Sequence, residues 1–173
     1  MNYIKDIQLY EDNHYNAIIE IPKNTSNKYE LIEPSNCNVE CVRKVIGKYP
    51  FYYGCFPQTL AGDNDPLDVI IFSNKKRHIL DCVAVKIIGV IKTIDYGDVD
   101  DKILAIPVDD AAMDLQKQIK IAMKFLKSYK GKNADTQIDE TIYSIDTAIY
   151  LINKSHDAYM QKASTKSKAL TSF

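Results

Sequence analysis

The hydrophobic period of this chain changes about two-thirds of the way along, and this change constrains the possible folds more than any other feature. Before the change, short apolar runs rich in β-branched residues alternate with polar turns, a pattern that predicts strands. The predicted strands are NAIIEI, KYELIE, NVECVRKV, PLDVIIF, DCVAVKIIGVIKTI and KILAIPV. Gly89 interrupts the longest run and predicts a bend or bulge there.

After the change, apolar residues recur with a helical period. Their spacing predicts an amphipathic helix from Asp110 to about Tyr129 and a second helix that begins near Asp139. Residues 163–173 are small and polar, and we expect a flexible tail. A chain of 173 residues fits one domain. Strands followed by two helices predict an α+β, mainly β fold, with helices packed outside a small barrel or sheet.

Composition argues against several classes of protein. Acidic and basic residues number 23 and 22, so the net charge of −1 does not favour a general nucleic-acid binder. No apolar run resembles a signal-peptide core or a membrane span, and we expect a cytoplasmic location without a membrane partner. The four cysteines lack the spacing of a structural zinc site, and buried free thiols are the expectation.

The segment GDNDPLDVIIF places three aspartates within six residues, directly before an apolar strand. Pro66 fixes its own backbone and restricts that of Asp65, so a turn there would bring Asp68 towards Asp63 and Asp65. Clustered carboxylates repel one another, and a hard cation such as Mg²⁺ relieves that repulsion. The segment lacks the glycine and glutamate of an EF-hand loop. A solvated acidic turn is the alternative.

A second acidic segment, IDYGDVDDK, lies between two apolar strands and contains Asp95 and Asp100. Two acidic loops that face each other across a barrel mouth would suit several metal ions side by side, which activate water and bind a phosphoryl group. Lysines and tyrosines near the strand ends would supply cations and hydroxyl donors for phosphate. The alternative is two unrelated solvated loops.

These residues resemble the soluble family I inorganic pyrophosphatases. That family's signature is an aspartate, a small or polar residue, then aspartate, proline, any residue, aspartate and two aliphatic residues, as in DNDPLDVI. Further landmarks recur in order, including IIEIP, KYE, YPFYYG, DYGDVDDK and FLKSYK, over roughly residues 15–132. The resemblance implies a five-stranded OB-like closed β-barrel with flanking helices, two of them C-terminal. It also implies hydrolysis of pyrophosphate to two phosphates by a metal-activated water, with Mg²⁺ (Mn²⁺ possible) as cofactor, and a homo-oligomer, most often a hexamer for short chains.

The resemblance also implies roles for individual residues. Asp65 would act as the general base on the metal-bridging water, and Tyr53 would be catalytic as well as a phosphate contact. Metal ligands would be Glu20, Asp63, Asp68, Asp95 and Asp100. Phosphate contacts would be Lys28, Arg43, Tyr53, Lys102, Tyr129 and Lys130, and Glu30 and Tyr49 would line the site.

One departure concerns the family's phosphate-binding arginine. Counted without gaps, its position falls on Cys41. Arg43 lies two residues further along, which in a regular strand is the same face, and we expect it to replace that arginine. Two other functions remain open: a catalytically weak or degenerate pyrophosphatase, and an OB-type module that binds single-stranded nucleic acid.

Overall fold

The computed structural model describes residues 1–32, 35–110, 113–131 and 134–170, with side chains up to residue 165. The described residues form ten strands and two helices. The strands are β1 (Tyr10–Glu11), β2 (His14–Ile21), β3 (Asn27–Leu31), β4 (Val39–Lys44), β5 (Tyr52–Cys55), β6 (Asp68–Ile71), β7 (Cys82–Asp95), β8 (Asp98–Val99), β9 (Lys102–Pro107) and β10 (Thr136–Tyr143). The helices are α1 (Leu115–Leu126) and α2 (Ile145–Leu170).

Five strands are connected in a ring by their hydrogen-bonded pairings. The main sheet has the order β1-β2-β5-β6-β9-β7-β10, and β7 also pairs with β2, so the pairings return to their start. β3 and β4 form a separate two-stranded sheet. The expectation of a mainly β fold with two helices in the last third of the chain is confirmed.

Both helices contribute to the apolar core around the ring. Ala122, Phe125 and Leu126 of α1 are buried beside strand residues such as Leu104. Ala148 and Ile152 of α2 are fully buried in a second cluster on the sheet. Within the described residues, no helix is long and apolar enough to cross a membrane.

The boundaries of both helices differ from the sequence prediction. The second helix was expected to begin near Asp139, but Asp139–Tyr143 belong to strand β10, which pairs with β7, and α2 begins at Ile145. β10 was missed because its pairing with β7 satisfies its backbone groups in a way that the apolar spacing does not reveal. Helix α1 begins at Leu115, capped by the side chain of Asp114 on Lys117 N. Backbone residues 163–170, expected to be a tail, continue α2, and residues 171–173 lie outside the described part.

Bulges or other register shifts interrupt four strand pairs among the described residues. The register of β7 against β9 shifts between Ile87 and Gly89, as the sequence predicted for this glycine. A side-chain carbon at Gly89, whose φ is +154°, would lie 2.8 Å from Tyr143 O. The other three are in the β2–β5, β3–β4 and β10–β7 pairs. The first leaves Glu20 as an extra residue in β2, and the second leaves Val42 as an extra residue in β4.

The prediction of buried thiols is wrong for three of the four cysteines. Cys55 is buried, whereas Cys37, Cys41 and Cys82 are exposed. Cys41 lies in β4, most of whose residues are exposed, and Cys82 is the exposed first residue of β7.

Candidate active site

One cavity of about 470 Å³ collects side chains from segments that are far apart in the sequence. Twelve of the fourteen residues predicted for a site line it. They are Glu20, Lys28, Glu30, Tyr53, Asp63, Asp65, Asp68, Asp95, Asp100, Lys102, Tyr129 and Lys130. The two others, Tyr49 and Arg43, pack against the ring of Tyr129. The structure therefore brings the predicted residues together, while their individual roles stay predictions.

The aspartate loop before β6 is held by its own hydrogen bonds. Asp65 N donates to Asp63 Oδ1 at 3.0 Å, and Ala61 N donates to Asp65 O at 2.7 Å. Asn64 takes the left-handed backbone conformation, with φ of 72°. Partial burial raises the pKa of Asp65, and the charges of Asp63, Glu30 and Asp68 raise it further. A carboxylate with a raised pKa is a better proton acceptor near neutral pH.

Glu20 faces the cavity because of a bulge in β2. Ile19 pairs with Gly54 and Ile21 pairs with Tyr53, so Glu20 is the extra residue between them. A bulge bends the strand and redirects a side chain. Glu20 is 9% exposed, and Leu31 N donates to its Oε1 at 3.2 Å. Burial, followed by the charge of Asp68, raises the pKa of Glu20 to about 8.

Lys102 lies between two predicted metal ligands. Its Nζ is 2.5 Å from Asp68 Oδ2 and also forms an ion pair with Asp100. Tyr53 donates its hydroxyl to the same oxygen of Asp68. Burial acts to raise the pKa of both carboxyl groups; the contacts with Lys102 and Tyr53 lower that of Asp68, whereas that of Asp100 remains raised, at about 7. Because the two carboxyl groups share one cation, ionisation of the second one, Asp100, is less favourable than that of Asp68.

A second lysine and carboxylate pair lines the cavity. Lys130 forms an ion pair with Asp95, and Thr136 Oγ1 donates to Asp95 Oδ1 at 2.7 Å. Although partial burial opposes it, these bonds lower the pKa of Asp95. A third such pair in the cavity lining is that of Lys28 with Glu30. Each predicted phosphate-binding lysine is therefore held by a carboxylate in this arrangement.

A bulge in the β3–β4 pair places Arg43 beside the ring of Tyr129, although Arg43 does not line the cavity itself. Lys28 lies opposite Arg43 and Tyr29 lies opposite Cys41, so Val42 is the extra residue. Residues directly opposite in an antiparallel pair share a face. Arg43 therefore shares a face with Lys28, and its guanidinium carbon is 5.7 Å from the centre of the Tyr129 ring. The prediction that Arg43 and Cys41 share one face is wrong, because the bulge breaks the alternation of side chains along β4.

Tyr49 is buried beside two tyrosines that line the cavity. It is 2% exposed, and its ring centre lies 6.0 Å from that of Tyr53 and 6.2 Å from that of Tyr129. Burial and the neighbouring Tyr129 hold the pKa of Tyr49 well above its usual value. It is therefore a neutral packing partner for two of the tyrosines that line the cavity.

Sequence reasoning missed several residues that line the cavity. Glu40 pairs with Glu30 across β3 and β4, and Cys55 pairs with Asp68 across β5 and β6. Ile4 and Asn36 come from segments with no motif. Glu40 could have been found from its place on the strand that contains Arg43, but the others depend on tertiary packing alone.

The donor set fits a hard divalent cation. The lining includes eight carboxylates and three lysines, and oxygen ligands are those that such ions prefer. The raised pKa values of Glu20, Asp65 and Asp100 show that these carboxylates repel one another or lack water, which a cation would offset. Among the described side chains, no three acidic, histidine or cysteine groups are close enough together to hold one ion in this arrangement. Lys102 fills the space between Asp68 and Asp100.

Comparisons with known proteins agree with this geometry. A family model described as inorganic pyrophosphatase matches residues 17–160. An inorganic pyrophosphatase from Synechocystis is 32% identical over 151 residues, covering 80% of this chain and 88% of that protein. Soluble inorganic pyrophosphatase 1 from Arabidopsis thaliana is 30% identical, covering 85% of this chain and 74% of that protein.

Solved structures show the same similarity. The inorganic pyrophosphatase from Neisseria gonorrhoeae is 28% identical with a TM-score of 0.75, covering 84% of this chain and 91% of that one. The type I enzyme from Toxoplasma gondii is 24% identical with a TM-score of 0.85, covering 93% of this chain and 88% of that one, which shows a shared fold.

Proposed function

Because the chain belongs to the inorganic pyrophosphatase family, whose members hydrolyse pyrophosphate with a divalent metal, we propose that its acidic cavity is the catalytic site and works with several Mg²⁺ ions. The chain is accordingly a hydrolase, with pyrophosphate as substrate and phosphate as product. We interpret the ring of five strands as the OB-like closed barrel of this family. The resemblance also predicts a cytoplasmic location and a homo-oligomer, a hexamer by analogy. Light scattering measures the number of subunits in that oligomer.

The observation that supports the proposal best is the convergence of both acidic segments on one cavity. Asp63 and Asp65 come from the loop before β6 and Asp68 is its first residue, whereas Asp95 ends β7 and Asp100 directly follows β8. Chance placement of two solvated loops would not bury Asp100 beside Asp68 with a lysine between them. The excess of carboxylates over lysines would repel a highly charged anion, so cations are needed for pyrophosphate to bind.

When bound, Mg²⁺ would lower the pKa of a coordinated water and neutralise charge on the phosphoryl oxygens. The candidates to hold it are Glu20, Asp63, Asp68, Asp95 and Asp100. Mn²⁺ has similar ligand preferences and could replace it.

The protein's own groups would hold the substrate and move one proton. Asp65 would accept a proton at a carboxylate oxygen from the attacking water as the water oxygen bonds to one phosphorus, and the bridging oxygen would leave with the other phosphate. Lysines and hydroxyls would then bind the two phosphates. They are Lys28, Lys102, Lys130, Tyr53 and Tyr129, all on the cavity wall.

Arg43 bears on the alternative of a degenerate enzyme. That alternative arises because Cys41 occupies the arginine position of the family. The bulge at Val42 places Arg43 opposite Lys28 and above Tyr129, which supports a working phosphate contact there. An arginine offers a planar fork of donors suited to phosphate. For the nucleic-acid alternative, the acidic lining of the cavity is unfavourable.

The direct test is phosphate release from pyrophosphate in a Mg²⁺ titration. We expect release that requires the metal. Release at background level in every metal tested, from folded protein, would overturn the proposal. Tight binding of Mg²⁺ and pyrophosphate without turnover would instead support the degenerate alternative.

A further inference from the structure

Thr59 is a buried hydroxyl that does not line the cavity but contacts the loop that supplies the aspartates. It is 1% exposed. Its Oγ1 donates to Phe56 O at 2.7 Å and accepts from Leu67 N at 2.9 Å. One side chain therefore connects the end of β5 to the end of the aspartate loop.

Leu67 is the residue through which this contact acts. It lies between Asp65 and Asp68, and both of its backbone groups are bonded, since Phe56 N donates to Leu67 O at 2.9 Å. Pro66 has no N–H, so the Leu67 amide is the first backbone donor after Asp65. The Thr59 hydroxyl thus holds the chain at the point where the loop turns into β6.

The turn that contains Thr59 is itself held by two other parts of the fold. Leu60 N donates to Ser155 O at 2.9 Å, and His156 Nδ1 donates to Gln58 O at 2.7 Å, so α2 supports the turn. Gln58 N donates to Ile4 O at 2.9 Å. Because hydrogen bonds from several segments fix this turn, the Thr59 side chain can hold the Leu67 backbone in one position.

We propose that Thr59 is a positioning residue for the aspartate loop: its hydroxyl, through Leu67, sets the placement of Asp65 and Asp68 that binding of the divalent cation and turnover of pyrophosphate need. This inference rests on the proposed function of the cavity. It assigns Thr59 no contact with substrate or metal.

The test compares Thr59→Val with Thr59→Ser. Valine keeps the shape of threonine but leaves Leu67 N–H and Phe56 C=O without their partner, whereas serine keeps the hydroxyl. For Thr59→Val we expect Mn²⁺ affinity, measured by calorimetry without substrate, to fall about 10-fold or more, as for other groups that orient metal ligands. We expect kcat to fall by about 10- to 100-fold, with a smaller change in KM. Thr59→Ser should stay within about threefold of the wild type.

Ser73→Ala is the matched control. Ser73 is also buried, and its hydroxyl contacts Asp110 Oδ2 and Lys75 O just after the far end of β6. Loss of the Ser73 hydroxyl should lower the free energy of unfolding while leaving the Mn²⁺ affinity unchanged. Equal effects of Ser73→Ala and Thr59→Val on Mn²⁺ affinity would mean that both act through stability alone and would overturn the inference.

Wild-type Mn²⁺ affinity and kcat in folded Thr59→Val would also overturn it. If that variant does not fold, Thr59→Cys replaces it, since a thiol is a weaker donor and acceptor than a hydroxyl. A Mn²⁺ affinity of Thr59→Cys below that of the wild type supports the inference. A Mn²⁺ affinity equal to that of the wild type contradicts it. An inactive wild type would overturn the proposed function, whereas the Mn²⁺ comparison would still decide the role of Thr59.

Discussion

Arg43 lies directly opposite Lys28 across the β3–β4 pair, because Val42 is an extra residue in β4. The bulge places two cations on one face of a two-stranded sheet, beside the ring of Tyr129. A regular strand would have turned Arg43 to the face of Cys41. The proposal that Arg43 replaces the family's arginine therefore depends on the extra residue Val42 rather than on a matching position.

Removal of Arg43 should weaken substrate binding. For Arg43→Gln we expect KM for pyrophosphate to rise about 10- to 100-fold, since a hydrogen bond to a charged group contributes roughly 1.5–3 kcal/mol. Steady-state phosphate release measures this. Lys44→Gln is the control, because Lys44 lies opposite Asn27 and is exposed.

A double variant tests whether Cys41 and Arg43 lie on different faces of β4. Adding Cys41→Arg to Arg43→Gln should not restore KM, because Cys41 lies opposite Tyr29 on the other face. Full restoration would contradict the bulge and favour the ungapped position.

Asp65 should be essential for turnover but not for folding. Asp65→Asn keeps the shape of the side chain and removes the proton acceptor, so kcat should fall about 10²- to 10⁴-fold. Asp98→Asn is the control, since Asp98 belongs to the second acidic segment but is exposed and outside the cavity. Equal kcat for wild type and Asp65→Asn would remove Asp65 from the mechanism.

Lys102 should stabilise the protein strongly when no metal is present. Lys102→Met leaves Asp68 and Asp100 without their shared cation, and loss of one partner of a buried ion pair costs about 3–5 kcal/mol. In EDTA, thermal denaturation should show a Tm lower by about 10 °C or more. Lys127→Met, which breaks the exposed pair with Glu140, should change Tm little.

Added Mg²⁺ should recover part of the Tm lost by Lys102→Met, since a cation near Asp68 and Asp100 offsets their repulsion. An equal Tm loss in Lys102→Met and Lys127→Met would show that the buried contact contributes no special stability.

Stability without metal should fall as the pH rises from about 5 to 8. The pKa of Glu20 is about 8 and that of Asp100 about 7, both above the usual values of 4.5 and 3.8. Between the usual and the raised value, the folded state binds more protons than the unfolded state, so the free energy of unfolding decreases with pH. The lowered pKa values of Asp68 and Asp95 act below about pH 4, outside this window.

Thermal denaturation in EDTA at several pH values measures this effect. Glu20→Gln should flatten the dependence and raise Tm at pH 8, because the amide has no charge to bury. A wild-type Tm that rises from pH 5 to pH 8 in EDTA would contradict the expectation.

The strands could be predicted from the sequence because their hydrophobic pattern agrees with the burial of the same residues in the structure. VIIF at the start of β6 and VAVKIIGVI in β7 are apolar runs that the ring buries, so their period predicted them well. β10 was missed because it is largely exposed and depends on pairing with β7. Helix α2 was expected too early for the same reason.

The sequence by itself determined which side chains are available for chemistry: the aspartates around Pro66, those after β7, and the lysines and tyrosines beside them. Tertiary structure decided which of them face one cavity. Bulges redirect Glu20 and Arg43, and Thr59 holds Leu67 from a turn that α2 supports. Bulges and buried hydrogen bonds depend on partners from distant segments, and a local pattern of residues contains no information about those partners.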